Sequence, residues 1–176
     1  MANRTALREL QTRLASRLQA ARTEDKAVSW LAIESGGGRY LFPLAQAEQI
    51  FPFTPTEPVP YAQPWFKGVA NLRGGLYSVI DFSHFVANKA PARASTDGLP
   101  DSSMVTLNPV LEVNCALLID RLSGLRGVDA FRSSDEAPAG SPDYFGHLYS
   151  DANGVSWQEI NLQLLSKLPR FLGIGI

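Results

Sequence analysis

The sequence is short of the residues that most enzymes and metal proteins need. Among its 176 residues there is one cysteine, Cys115, and there are two histidines, His84 and His147. These three residues lie far apart and do not follow the spacing of a zinc site. No residue that would orient a catalytic base stands beside either histidine, and neither a phosphate-binding glycine loop nor a nucleophile elbow is present. The sequence therefore predicts no catalytic residue, no metal and no cofactor.

Net charge and long apolar runs are also missing. Sixteen basic residues balance seventeen acidic ones, so the chain has no strong field with which to gather phosphates. No apolar run approaches the roughly 20 residues that span a bilayer, and no signal-peptide core follows the N-terminal arginines. The lone cysteine agrees with a reducing compartment. We expect a cytoplasmic protein that neither binds nucleic acid nor inserts into a membrane.

The chain begins with a predicted amphipathic helix over residues 2–22, which contain neither glycine nor proline. Its apolar residues recur at steps of three and four, which places them on one stripe of a helix. Because most such stripes face a core, we favour packing on the protein's own body, with docking on a partner as the alternative. The stripe comprises Leu7, Leu10, Leu14, Leu18 and Ala21.

From residue 27 onward the sequence is typical of a β protein. Short runs rich in valine, isoleucine, leucine and aromatic residues are separated by glycine, proline, asparagine and aspartate. Several such runs at short spacing favour barrels or a sandwich. The glycines at 36–38 predict a hairpin between the first two strands, since glycine accepts the positive φ of tight turns. The predicted strands are 28–34, 39–42, 47–51, 67–72, 76–81, 105–110, 113–120, 125–131 and 155–159.

Less regular segments separate these strands. The proline-spaced residues 52–64 predict an extended connector, because proline cannot donate to a strand ladder. Residues 87–103 and 133–143 are polar and predict exposed loops. Near the end, residues 160–168 predict a short helix that stops before the next proline, and residues 171–176 are expected to return as a strand.

The most distinctive segment is GVANLRGGLYSVID, residues 68–81. An apolar strand runs into Arg73, Gly74 and Gly75 and returns as a second strand, which predicts a β-hairpin with glycines at its corner. Arginine presents five donors in a rigid fork. Arg73 can therefore lock carbonyls and carboxylates of its own fold or present a recognition surface. The residue type alone favours the structural role, because arginines are common in turns and surface ion pairs are weak.

The wider segment PWFKGVANLRGGLYSVIDF, residues 64–82, resembles the signature of CheW-like domains, the chemotaxis coupling proteins. The resemblance begins at about Val28, includes YLFP at 40–43, and continues through LLIDRL at 117–122. It closes with WQEINL at 157–162, which is similar to the end of the branch that serves type IV pili, the PilI-like branch. An N-terminal helix, absent from minimal coupling proteins, is similar to that branch as well.

For the fold, the resemblance implies a mainly β protein of the CheW-like type. It would contain two intertwined five-stranded SH3-like barrels with a hydrophobic seam between them, an N-terminal helix and a short C-terminal helix. The chain would then divide into a helical extension, residues 1–26, and a CheW-like domain, residues 27–176.

For the function, the resemblance implies a non-enzymatic chemosensory adaptor. Such a protein couples the cytoplasmic tip of a methyl-accepting receptor to the regulatory domain of a CheA-type histidine kinase, in arrays at the membrane. The pilus-associated branch implies control of twitching motility. Carried over by motif, Val69, Asn71, Arg73 and Gly74 match the strand and corner associated with receptor coupling.

One position departs from the family pattern. Many members have a glutamate just before the isoleucine that matches Ile50, and this glutamate can pair with the motif arginine. Gln49 stands there in this sequence, and Glu48 would point to the opposite face of the strand. Arg73 is therefore expected either to bond a neutral amide or to be freer to face a partner.

Two other functions remain as alternatives. The chain is also compatible with a detached domain of the kinase-regulatory type that acts as a spacer in an array, and partner identification would separate this from an adaptor. A small-ligand-binding β-barrel would need convergent polar groups in a cleft, and the sequence offers no such set. A metabolite bound to the purified protein would support that last alternative.

Overall fold

The computed structural model describes residues 2–23, 28–87 and 101–176. These residues form eleven strands and four helices. The helices are α1 (Ala2–Thr23), α2 (Phe82–Ala87), α3 (Leu162–Lys167) and α4 (Pro169–Leu172). The strands are β1 (Val28–Ser35), β2 (Gly38–Pro43), β3 (Ala47–Pro52), β4 (Phe66–Leu72), β5 (Gly75–Asp81), β6 (Ser103–Leu107), β7 (Cys115–Ile119), β8 (Arg121–Gly127), β9 (Phe131–Asp135), β10 (Phe145–Asp151) and β11 (Ser156–Ile160).

The strands form two mixed sheets. The first sheet has the order β8-β1-β2-β11-β10-β9, and the second has the order β3-β6-β7-β5-β4. Neighbours are antiparallel except for the pairs β2 with β11 and β5 with β7. The middle of the chain, β3 to β7, builds the second sheet, while the segments before and after it build the first. The mainly β fold with an N-terminal helix and a short C-terminal helix is confirmed, although β9 gives the first sheet six strands instead of five.

Apolar side chains fill a main core that draws on both sheets and all four helices. Successive residues of a strand point to opposite faces, so Leu31 and Ile33 of β1 enter this core while Trp30 and Ala32 join a smaller cluster with Trp157. The second sheet has its own small cluster in the same way. That cluster comprises Phe51, Ala70, Leu72, Val79, Met104, Ala116 and Leu118. The main core is therefore the hydrophobic seam that was expected between two units.

Helix α1 packs on the protein's own body, against β3 and β8. Leu14 and Leu18 are buried in the main core, and the buried side chain of Gln11 donates from Nε2 to Ser103 Oγ at 2.9 Å. Leu10, by contrast, is 51% exposed. Of the two readings of the apolar stripe, packing on the core is the correct one for Leu14 and Leu18.

Two predictions near the first sheet were wrong. The single strand expected over 125–131 is divided, because β8 ends at Gly127 and a 3₁₀ turn leads to β9 at Phe131. Part of the loop expected over 133–143 is strand β9, which pairs with the unpredicted strand β10. Strand β9 lies at the edge of its sheet and carries mostly exposed polar side chains, so it lacks the alternation that marks a strand.

The C-terminal region was predicted in part. The short helix expected over 160–168 is α3, but residues 171–176 do not form a strand. The chain instead makes helix α4 and then a single bridge between Gly175 and Ala62. Most of the loop expected over 87–103 lies outside the described residues.

Candidate functional site

The distinctive motif forms the hairpin between β4 and β5. Both central residues of its turn have positive φ, +52° at Arg73 and +82° at Gly74. This is the backbone that a type I′ turn needs, and it matches the twist of the flanking strands. Asn71 Oδ1 accepts a hydrogen bond from the backbone N–H of Gly74 at 2.9 Å. Asn71 and Gly74 therefore shape the corner that holds Arg73.

The start of the hairpin is tied to the proline-spaced connector. Val69 and Glu57 exchange two backbone hydrogen bonds, of 2.9 and 2.8 Å. Gly68 has φ of +119°, and a Cβ atom there would lie 2.1 Å from the carbonyl oxygen of Glu57. Glycine at this position is what lets the connector lie along the outer edge of β4.

The side chain of Arg73 contacts a residue of strand β3. Its guanidinium lies over the ring of Phe51, 5.6 Å from the centroid, which is a cation–π contact. Among the described residues Arg73 makes no ion pair and no hydrogen bond to Gln49, whose backbone N–H donates to Thr106 Oγ1. Two outcomes were expected for Arg73, a hydrogen bond to a neutral amide or greater freedom to face a partner. The described contacts agree with the second outcome.

The predicted site residues differ in exposure. The pairs Val69 with Ser78 and Asn71 with Leu76 put these side chains on the same face of the hairpin. Val69 is half-buried against the main core, whereas Asn71 is exposed. The exposed corner thus consists of Asn71, Arg73 and Gly74. Val69 packs on the main core and connects the corner to it.

Leu76 belongs to the same corner and was not singled out from the sequence. Its side chain is 62% exposed beside Asn71. The available signal was its place just after the turn, at the start of a strand whose buried residues Val79 and Ile80 come only later. Arginine is enriched at protein interfaces, and an exposed leucine on the same hairpin adds apolar surface.

The reactive residues elsewhere are placed for packing. Burial raises the pKa of the Cys115 thiol, so this cysteine stays protonated within its strand. Burial likewise lowers the pKa of His84, against the opposing effect of Asp81.

Across residues 2–23, 28–87 and 101–176, no three histidine, cysteine or acidic side chains are grouped closely enough to hold a metal. No described helix is both long and apolar enough to cross a bilayer.

Comparison with known proteins agrees with the hairpin motif and the two-sheet core. The sequence profile of the CheW-like domain matches residues 29–168. The chain belongs to the CheW-like domain family. Members of this family are non-enzymatic scaffold and adaptor proteins of chemotaxis signalling, and the chain is a coupling or scaffold protein of that kind. Helix α1 precedes the matched region.

Two individual proteins illustrate the relationship. Protein PilI of Pseudomonas aeruginosa is 24% identical over 127 residues, which cover 72% of this chain and 67% of PilI. The crystal structure of the scaffolding protein TtCheW from Thermoanaerobacter tengcongensis superposes with a TM-score of 0.64 at 12% identity. That superposition covers 82% of this chain and 95% of TtCheW, and it shows that the two chains share a fold.

Proposed function

We propose that this chain couples a chemoreceptor to a CheA-type histidine kinase in a pathway that controls type IV pili. Family membership supports the coupling role, and the similarity to PilI supports the pilus pathway. The protein acts by binding alone, in the cytoplasm, where it is recruited to receptor arrays. The receptor's cytoplasmic tip and the kinase's regulatory domain are its two partners.

The conformation of Arg73 is the observation that carries this proposal. A left-handed backbone costs a residue with a side chain about 1–2 kcal/mol relative to glycine. Arg73 adopts it with φ of +52°, yet no described carboxylate pairs with its guanidinium. A strained residue whose only described charge contact is the ring of Phe51 keeps its hydrogen-bond donors for a role outside the fold. That role is contact with the receptor, through the corner formed by Asn71, Arg73, Gly74 and Leu76.

Signalling then follows from differential binding. A partner that binds one conformation of the kinase better than another shifts the balance between them. The corner holds the receptor while surfaces at the ends of the two sheets hold the kinase. The adaptor adds no chemistry and only joins two proteins whose states are thereby coupled.

A binding experiment with a matched control tests the receptor contact. The cytoplasmic domain of the cognate receptor is titrated with the wild type, Arg73→Ala and Arg132→Ala, because Arg132 is an exposed arginine far along the chain in β9. We expect Arg73→Ala to weaken binding about tenfold or more, as an interface arginine does, and Arg132→Ala to leave it unchanged. Equal affinities for all three proteins would remove Arg73 from the site. Binding of the kinase domain alone would identify the chain as an array spacer.

A further inference from the structure

A groove runs between helix α1 and the Arg73 corner. Arg8, Gln11 and Ala15 line it from the helix, and Ile50, Phe51 and Arg73 line it from the second sheet. Its volume is about 570 Å³, enough for several side chains of a bound segment. Helix α1 thus forms one wall of a surface whose other wall carries the motif arginine.

The groove is lined by positively charged and by apolar side chains. Arg8 and Arg73 contribute two guanidinium groups, and no acidic side chain is among the described residues that line it. Ile50 and Phe51 provide the apolar part. A segment that carries carboxylates on either side of an apolar side chain complements this arrangement, since arginine binds carboxylates through its planar fork.

Gln11 lines the same groove and carries an unsatisfied hydrogen-bond acceptor. The residue is only 4% exposed, and its Nε2 donates to Ser103 Oγ at 2.9 Å. Its Oε1 has no hydrogen-bond partner among the described residues. A buried acceptor without a partner is costly. Because Oε1 itself has less than 1 Å² of accessible surface, the side chain must turn toward the groove before an N–H of a bound segment can satisfy it.

We propose that this groove binds an acidic segment of the receptor's cytoplasmic domain. Two carboxylates of the segment pair with Arg8 and Arg73, and an apolar side chain rests on Ile50 and Phe51. An N–H of the segment donates to Gln11 Oε1 once that side chain has turned toward the groove. The choice of the receptor rests on the proposed function, because Arg73 is the residue assigned there to receptor coupling. Helix α1 is then part of the recognition surface as well as part of the core.

A membrane surface fits these observations less well than a protein does. A basic amphipathic helix binds anionic lipid by burying its apolar face among the acyl chains. In this protein that face is already used, because Leu14 and Leu18 lie in the main core. The remaining feature is a groove of about 570 Å³ lined by two arginines, which suits a polypeptide segment.

The test compares two charge reversals on the same helix. Arg13 is exposed like Arg8 and lies about 140° around the helix from it, away from the groove. Wild type, Arg8→Glu and Arg13→Glu are titrated with the receptor's cytoplasmic domain, and the side-chain amide resonances of Gln11 are followed by NMR. We expect Arg8→Glu to weaken binding about tenfold or more, Arg13→Glu to change it less than about twofold, and the Gln11 resonances to shift.

Each other outcome contradicts a separate statement. If the wild type binds the receptor but both reversals weaken it equally, or the Gln11 resonances do not move, the groove is not the site. If Arg8→Glu weakens kinase binding instead, the segment does not belong to the receptor. Binding to anionic vesicles that Arg8→Glu abolishes would identify a lipid ligand. If the wild type binds neither protein, the proposed function itself fails.

Discussion

The guanidinium of Arg73 lies over the ring of Phe51, with 5.6 Å between its central carbon and the ring centroid. Phe51 belongs to β3, and β3 is also the strand against which helix α1 packs. The motif hairpin, the edge strand and the N-terminal helix therefore meet at one place. This meeting point is why the arginine and the helix are parts of one surface here.

Replacing Arg73 by glycine separates its role in the fold from its role in binding. Glycine relieves the left-handed backbone but loses the ring contact and gains freedom in the unfolded state, so we expect the free energy of unfolding to change by less than about 1 kcal/mol. Receptor affinity should fall about tenfold, as for the alanine variant. Urea unfolding and titration calorimetry measure the two quantities. A large loss of stability with unchanged affinity would make Arg73 a structural residue.

Replacing Gly68 by alanine should destabilise the protein more than replacing Gly74 by alanine. Both glycines have positive φ, but only at Gly68 would a Cβ meet another part of the backbone, the Glu57 carbonyl. We expect Gly68→Ala to cost about 2–4 kcal/mol, because the strain adds to the loss of the Glu57 hydrogen bonds. Gly74→Ala should cost about 1–2 kcal/mol from the backbone alone. If both variants lose the same free energy of unfolding in urea, the connector moves away from the added Cβ at no cost.

Two leucines of helix α1 test how the helix is anchored. Leu18 is 2% exposed and lies in the main core, whereas Leu10 is 51% exposed. Truncating a buried leucine costs about 2–5 kcal/mol, so Leu18→Ala should destabilise the protein by that amount. Leu10→Ala should change the free energy of unfolding by less than about 0.5 kcal/mol. If both variants unfold like the wild type, α1 detaches from the body at little cost.

His84 predicts a dependence of stability on pH. Burial, with smaller contributions from Lys67 and Arg170, holds its pKa below the ordinary value of about 6.5 in the folded protein, while Asp81 acts in the opposite direction. The unfolded chain then binds the proton more readily than the folded one. The contribution of the neutral His84 to the free energy of unfolding is therefore complete above about pH 6.5 and is lost as the pH falls. Unfolding free energies between pH 5 and 8 should therefore vary less in His84→Leu than in the wild type, and identical profiles would contradict this.

The sequence predicted the parts of the fold that follow local rules. The leucine spacing of α1 and the glycine corner of the motif hairpin depend on residues close in the chain. Helix α2 was missed because it has only six residues, although Asp81 Oδ1 accepts from the backbone N–H of His84 as a cap. Strand β10 was missed because its side chains are half-buried without alternation.

The candidate site was predicted less completely than the fold. The motif identified Arg73, but its contact with Phe51 joins residues on different strands, and no local pattern encodes it. The same holds for the groove, where Arg8 and Arg73 come together only because α1 packs on β3. The orphaned Oε1 of Gln11 also depends on this packing, since a glutamine in a helix ordinarily faces water.

The rate of kinase autophosphorylation on receptor-bearing membranes tests the coupling role most directly. The cognate kinase and membranes are mixed without the adaptor, with the wild type, and with Arg73→Ala. We predict that the kinase responds to the receptor only when the wild-type chain is present, and that Arg73→Ala restores little of this response. A kinase that responds equally well without the chain, or that never responds with it, would contradict the account.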